Sequence, residues 1–379
     1  MNNRSMYKIL LGLAGASALA ALVFFITGHS VSAGPFVIAF FLLLAIGFRG
    51  YPSLRGFSFT AIIFASVSVA MYYPANFQEV NGYDLKNLFT PLLQLIMFGM
   101  GTAIGVKDFL GVIKMPRGVL IGVLCQFTIM PFVGFGIAKI LGVAPEIAAG
   151  IILIGSSPSG LASNVMAYLA KANLALSITL TAIATLLAPL ITPNLMGWLA
   201  GEFVEVDVFG MMWSMVRIVI IPVSAGVIFN YFFHGKVKWL DNAMPFVSMF
   251  GIAYIITIIT AAGRDNLLEV GFVLILAGIF HNMSGYFLGY WGARLFRMPE
   301  SDCRTVALEV GMQNGGLASA LANEMGKVAT VGLAPAIFGP VMNITGSSLA
   351  TYWRGKPLPE EAKKEEKKIS PTEHDKAIT

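Results

Sequence analysis

Charge is scarce in this sequence. Its 25 Lys and Arg and 20 Asp and Glu make up only 12% of 379 residues, against roughly a quarter in a soluble globular chain. That shortfall excludes an ordinary water-soluble domain. Cysteine is nearly absent too: Cys125 and Cys303 lie in or beside apolar segments, which excludes a disulfide framework and a thiolate metal cluster. The four histidines lack zinc-ligand spacing, and no Ser-His-Asp set appears, so an enzyme is not expected. The 379 residues read as membrane segments and short loops, so a sensor with an appended soluble domain is not expected. A formal charge of +5 could suggest nucleic acid, but seven of the 25 basic residues fall in the last 26 positions. The rest sit mostly in short loops, so the charge is topological. Neither a nucleic-acid partner nor an obligate protein partner is expected.

Apolar residues fill the gap, at 56% of the chain with a mean hydropathy of +0.76. The apolar runs are too long for barrel strands, so they predict helices that satisfy their own backbone in lipid. Twelve segments are expected: 7–27, 35–49, 56–74, 88–106, 117–138, 147–169, 173–199, 208–233, 243–262, 268–294, 302–323 and 326–353. Arg4 and Lys8 stand at the head of the first and Gly28–Ala33 follows it, so a cleaved signal peptide is an open alternative for it. Forty glycines and 18 prolines fit close helix packing and interrupted spans. With the N-terminus inside, 20 basic residues fall on the inner side and four on the outer, while Arg217 lies within a span. This bias predicts both termini in the cytoplasm. The charge-mixed, proline-bearing tail 354–379 is expected to be disordered and cytoplasmic.

The chain repeats itself. Gly160-Leu161-Ala162-Ser163 recurs as Gly316-Leu317-Ala318-Ser319, and at the same offset of 156 Gln126 falls on Asn282. Duplication predicts two five-helix repeats, 56–199 and 208–353, after two additional segments in 1–55. Five is odd, so the second copy enters the bilayer from the opposite side, an inverted repeat.

Polar interruptions mark the functional region. Pro158, with Gly155 and Gly160 beside it, breaks the span 147–169 amid serines, which reads either as a proline kink or as an ion or substrate site. In the second repeat Glu309 lies deep in a span, followed by Gln313, Asn314 and two glycines. A carboxylate there must be paired, protonated or turned towards a polar cavity. Pairing with Arg217, proton exchange and cation binding are the three readings. Ser177 and Thr181, at i and i+4, share one helix face. If the broken helices cross, Ser163, Asn164, Ser177, Thr181 and Glu309 form one set of hard oxygens for Na⁺. Gln126, Gln313 and the carbonyls of Val310 and Met312 form a second around the same Glu309. A single acid in mid-span does not resemble the ring of a channel filter.

The segments 155–168 and 307–321 resemble the bile acid:sodium symporter family, as do Gln94–Gly101, Gln126 and the run Asn343-Ile344-Thr345-Gly346-Ser347. The likeness covers about 56–353. It implies an all-α polytopic fold with ten core helices in a panel and a core domain, the fourth and ninth family helices unwound and crossing. It implies two coupling Na⁺ ions at the sets just named, and a solute cavity beside Asn314 and Asn343. It also implies symport by alternating access of a small or amphipathic organic anion, such as a bile acid, a pantothenate-like compound or a 2-oxo acid, in a bacterial inner membrane. A proton-coupled or uncoupled carrier using Glu309 is the alternative. The sequence departs from the family pattern in its two extra segments, in Ser156-Ser157 where some bacterial relatives have cysteines, in Leu161 for a threonine and in Met342 for a histidine. The last two weaken the case for bile acids.

Overall fold

The computed structural model describes residues 3–51, 54, 56–105, 111–233, 237–356 and 358. These are almost wholly helical. The helices α1 (Asn3–Ile26), α2 (Gly34–Phe48), α3 (Phe57–Tyr72) and α4 (Phe89–Ala103) come first. They are followed by α5 (Pro116–Leu141), α6 (Pro145–Ser156), α7 (Leu161–Leu169), α8 (Leu174–Ala200) and α9 (Val208–Phe233). The order ends with α10 (Lys238–Ala262), α11 (Arg264–Leu295), α12 (Glu300–Gly311), α13 (Gly315–Glu324) and α14 (Leu333–Arg354). Each expected apolar segment holds one helix, except that 147–169 and 302–323 each hold two with a break between. Among the described residues six helices are long and apolar enough to cross a membrane: Ser5–Ile26, Ser30–Phe48, Pro116–Leu141, Leu174–Ala200, Val208–Phe233 and Arg264–Leu295. This is an integral membrane protein. The tail beyond 358 lies outside the described residues.

Local chemistry sets the boundaries. Pro116 and Pro145 open α5 and α6, where a missing N–H costs nothing. Side chains of Asn173, Asp207 and Asn314 accept from the backbone N–H of Leu176, Gly210 and Leu317, capping α8, α9 and α13. One short hairpin interrupts the helices. Strands β1 (Glu79–Val80) and β2 (Tyr83–Asp84) are joined by Asn81 and Gly82, both at positive φ, which is the turn that Asn-Gly favours.

Packing places α2 between α1 and α3, α4 against α9, and α3 against α10. At the α4–α9 contact the backbones nearly touch: a Cβ on Gly226 would meet the Phe98 carbonyl oxygen at 2.3 Å and Gly101 Cα at 2.8 Å. On the other side, α5 packs on α6, and α11 on both α12 and α14. The fully buried Ile151–Ile154 run of α6, Leu317 and Leu321 of α13 and Phe338 of α14 belong to the largest apolar core. The helices α6 and α12 each span 12 residues, starting 155 positions apart and ending 155 positions apart. That spacing lies within one residue of the repeat offset in the sequence.

Candidate ion and solute site

The two breaks meet. Ser159 and Gln313 form an antiparallel bridge, with Gly160 N donating to Met312 O at 3.1 Å and Asn314 N to Pro158 O at 2.7 Å. The reason is elementary: backbone released from a helix inside an apolar bundle must find partners, and each break supplies the other's. The crossing gathers the C-terminal ends of α6 and α12, with their surplus carbonyls. It also gathers the N-terminal ends of α7 and α13, with their surplus N–H groups. The first pair favours a cation and the second an anion.

Glu309, on the last turn of α12 and 2% exposed, is the centre of the first environment. Its Oε1 accepts from Ser163 Oγ at 2.6 Å and Ser177 Oγ at 2.5 Å. Its Oε2 accepts from Ser159 Oγ at 2.6 Å and Thr181 Oγ1 at 2.9 Å. The expected face of α8 is therefore real, and Asn164 lies against it: Ser177 and Thr181 also stand 2.8 and 3.1 Å from Asn164 Oδ1. Each hydroxyl has one proton, so these oxygens outnumber the protons available to them. Such a cluster suits a hard cation bound by neutral oxygens around one carboxylate. Among the described residues no group of three or more His, Cys, Asp or Glu is placed to hold a metal ion.

The pairing of Glu309 with Arg217 is not found. Arg217 sits on a π turn of α9, 3.5 Å from Glu324 of α13, and Thr90 and Ser214 donate to the same carboxylate at 2.9 and 3.0 Å. The second expected set comes together only in part. Gln126 Nε2 donates to Gln313 Oε1 at 2.6 Å and to Ser157 O at 3.1 Å, while Gln126 Oε1 is buried and without a partner. The carbonyls expected to be free are engaged: Val310 O accepts from Gln313 Nε2 at 2.6 Å and Met312 O from Gly160 N. Each keeps a second lone pair. No hydrogen bond joins this set to Glu309 among the described residues. An orphaned amide oxygen costs about 1–3 kcal/mol, and a cation ligated there removes that cost. The first set thus has the oxygen chemistry of a hard-cation site, and the second offers one unpartnered amide oxygen to such an ion. Ser159 was not anticipated as a partner of Glu309.

A cavity of about 220 Å³ opens beside the crossing. Its walls include Phe59 and Ile63 of α3, Met97 and Met100 of α4, and Ile252 of α10 on one side. Gly160, Asn314, Gly316 and Asn343 lie on the other. Asn314 and Asn343 both line this cavity. Among the described residues no charged side chain lines it. Buried His281 packs on Phe338, ring centroids 5.3 Å apart, away from these walls.

The sequence model of the Sodium Bile acid symporter family matches residues 90–270. The "Uncharacterized sodium-dependent transporter YocS" of Bacillus subtilis (strain 168) is 40% identical over 301 residues, 79% of this chain and 91% of that one. The chain belongs to the Sodium Bile acid symporter family. Other relatives in the comparison show the family's spread. The "Probable sodium/metabolite cotransporter BASS1, chloroplastic" of Arabidopsis thaliana is 34% identical over 262 residues, covering 69% of this chain and 65% of its own. The human "Ileal sodium/bile acid cotransporter" is 34% identical over 257 residues, 65% of this chain and 72% of that protein. The Sodium Bile acid symporter family is one of transporters, not of enzymes.

Proposed function

We propose that this member of the family couples the movement of two Na⁺ ions to that of one small organic monoanion, by alternating access. The observation that carries the reading is the oxygen cluster at Glu309. A lone buried carboxylate, with no basic partner among the described residues, receives four hydroxyls at the C-terminal end of a half-helix. An ionised carboxylate accepts all four; a protonated one would have to turn a hydroxyl round. Ser163, Asn164, Ser177, Thr181 and Glu309 hold one ion. Gln126, Gln313, Val310 and Met312 hold the other, with Glu309 supplying charge to both. The anion lies in the cavity between α3, α4 and α10 on one side and the crossing on the other, its carboxylate towards the α7 and α13 N-termini, Asn314 and Asn343.

In this reading 56–199 and 208–353 are the inverted repeats. The helices α3, α4, α9 and α10 form the panel, and α5–α8 with α11–α14 form the core that moves against it. The 12-span topology keeps both termini in the cytoplasm of a bacterial cell. The 220 Å³ cavity favours a pantothenate-like compound or a 2-oxo acid over the bulkier bile acids.

The deciding experiment imposes Na⁺ and H⁺ gradients separately on proteoliposomes and follows uptake of candidate anions. Uptake is expected under an inward Na⁺ gradient and is electrogenic. Undiminished uptake in Na⁺-free buffer under a proton gradient overturns the sodium assignment and leaves a proton carrier using Glu309.

A further inference from the structure

One turn away from the oxygen cluster, α12 is fastened to the start of α8. Asn173 N donates to Thr305 Oγ1 at 2.9 Å and approaches Ser301 O at 3.3 Å. The Thr305 hydroxyl in turn lies 3.1 Å from Asn173 O and 3.0 Å from Ser301 O. Asn173 Nδ2 donates to Asp302 Oδ1 at 2.8 Å, and Asn173 Oδ1 caps α8 through Leu176 N at 3.1 Å. Thr305 is fully buried.

The spacing gives this clasp its meaning. Ser301, Thr305 and Glu309 recur every four residues along α12, and Asn173, Ser177 and Thr181 every four at the head of α8. Four residues rise about 6 Å along a helix. The clasp between Thr305 and Asn173 therefore stands about one turn from the contact between Glu309 and Ser177, measured along either helix. A slip of α12 along α8 moves both contacts by the same amount.

We infer that Thr305 and Asn173 are positioning residues: their clasp sets the axial register of α12 against α8, and with it the size and cation preference of the oxygen cage around Glu309. The inference rests on the sodium reading above. Neither residue is assigned to hold the ion. Ligand constellations tolerate about 0.5 Å of misplacement before they lose affinity, and outer partners of metal ligands are worth about 10–100-fold in affinity.

The test uses full-length protein in detergent and reads thermal stabilisation by NaCl and by LiCl, with choline chloride as the reference salt. Thr305→Val removes the hydroxyl while keeping the shape; Thr305→Ser keeps the hydroxyl. Asn173→Ser keeps a capping oxygen but removes the amide that reaches Asp302. Thr305→Val is expected to weaken Na⁺ about tenfold or more and to shift the Li⁺ to Na⁺ preference. Thr305→Ser should recover both, and Asn173→Ser should move them in the direction of Thr305→Val by less. A merely structural role would lower the melting temperature in choline without altering the ratio of the two ions. An unchanged ratio in Thr305→Val and Asn173→Ser, with normal Na⁺ stabilisation of the wild type, overturns this inference alone. A wild type indifferent to Na⁺ overturns it together with the reading it rests on. If Thr305→Val yields no folded protein, the ratio in Asn173→Ser decides.

Discussion

Ser159 and Gln313, 154 positions apart in the chain, face each other across an antiparallel bridge where two interrupted helices cross. Each break is the other's hydrogen-bonding partner, so neither can regularise into a continuous helix without orphaning the other. The bridge holds Ser159 Oγ on Glu309 and holds Gln313 within reach of Gln126. Through Ser159, which touches Glu309, and through Gln313, it links the two oxygen sets proposed to hold sodium.

Glu309→Gln keeps the shape of the side chain and removes its charge. An amide cannot accept from four hydroxyls in the way a carboxylate does, and hydrogen bonds to a charged group are worth about 1.5–3 kcal/mol each. The expected outcome is loss of Na⁺-driven uptake and Na⁺ binding weakened by about a hundredfold or more. Isothermal titration with NaCl measures the second effect directly, and retained wild-type affinity would refute the role.

Gln126→Ala and Asn164→Ala should each impair one ion only. The first deletes the unpartnered Oε1 and the second deletes the oxygen against Ser177 and Thr181. In uptake assays each should lower the Hill coefficient for Na⁺ towards one while leaving measurable transport. A Hill coefficient that neither substitution changes would rule out the assignment of one residue to each ion.

Asn314 both caps α13 and lines the cavity. Asn314→Ala loses both, and the cap alone is worth about 0.5–2 kcal/mol. Asn314→Ser keeps a capping oxygen and loses the amide. Both should raise the KM for the anion more than the Na⁺ concentration at half-maximal rate, and only the alanine should lower the melting temperature. Equal effects on both kinetic constants would argue against anion contact.

Gly226 has no room for a side chain. Gly226→Ala should force α4 and α9 apart and destabilise the protein by about 1–3 kcal/mol, the usual cost of overpacking. Gly136→Ala on α5, whose added Cβ meets nothing within 4 Å, serves as the control and should be neutral or slightly stabilising. Thermal melts of the two variants in detergent should separate accordingly.

Topology has its own test. Single cysteines at 202–207 should react with an impermeant maleimide from outside intact cells, and cysteines after 355 only once the cells are opened. Labelling of both regions from the same side would reject the 12-span arrangement.

Much of the site was legible because burial in lipid makes polar residues conspicuous. Glu309, Pro158 and the Ser177–Thr181 pair each stand out against apolar surroundings, and each lies at or beside the crossing. Other features were hidden for physical reasons. A serine beside a helix break can turn in any direction, so the partner of Ser159, 150 residues away, could not be read locally. The carbonyls of Val310 and Met312 look free only if each break is considered by itself; one is claimed by a side chain and the other by the opposite break. Arg217, on a π turn of α9, stands against Glu324 of α13, a partner more than 100 residues away that no apolar periodicity reports. The hairpin at Asn81-Gly82 did carry a signal in those two residues, which a search for long apolar runs passes over.

Among the described residues the cavity has no charged side chain in its walls, and this bears on fidelity as much as on binding. In the proposed mechanism, an anion that arrives without sodium meets amides, the hydroxyls of Ser248 and Ser319, helix ends and apolar side chains, a weak host for a desolvated charge. Linkage runs both ways, so the ions are also held less firmly when the anion is missing. On the proposed mechanism a half-filled carrier is the scarce species, and slippage, in which one cargo crosses without the other, is expected to be held down by the poverty of the cavity itself.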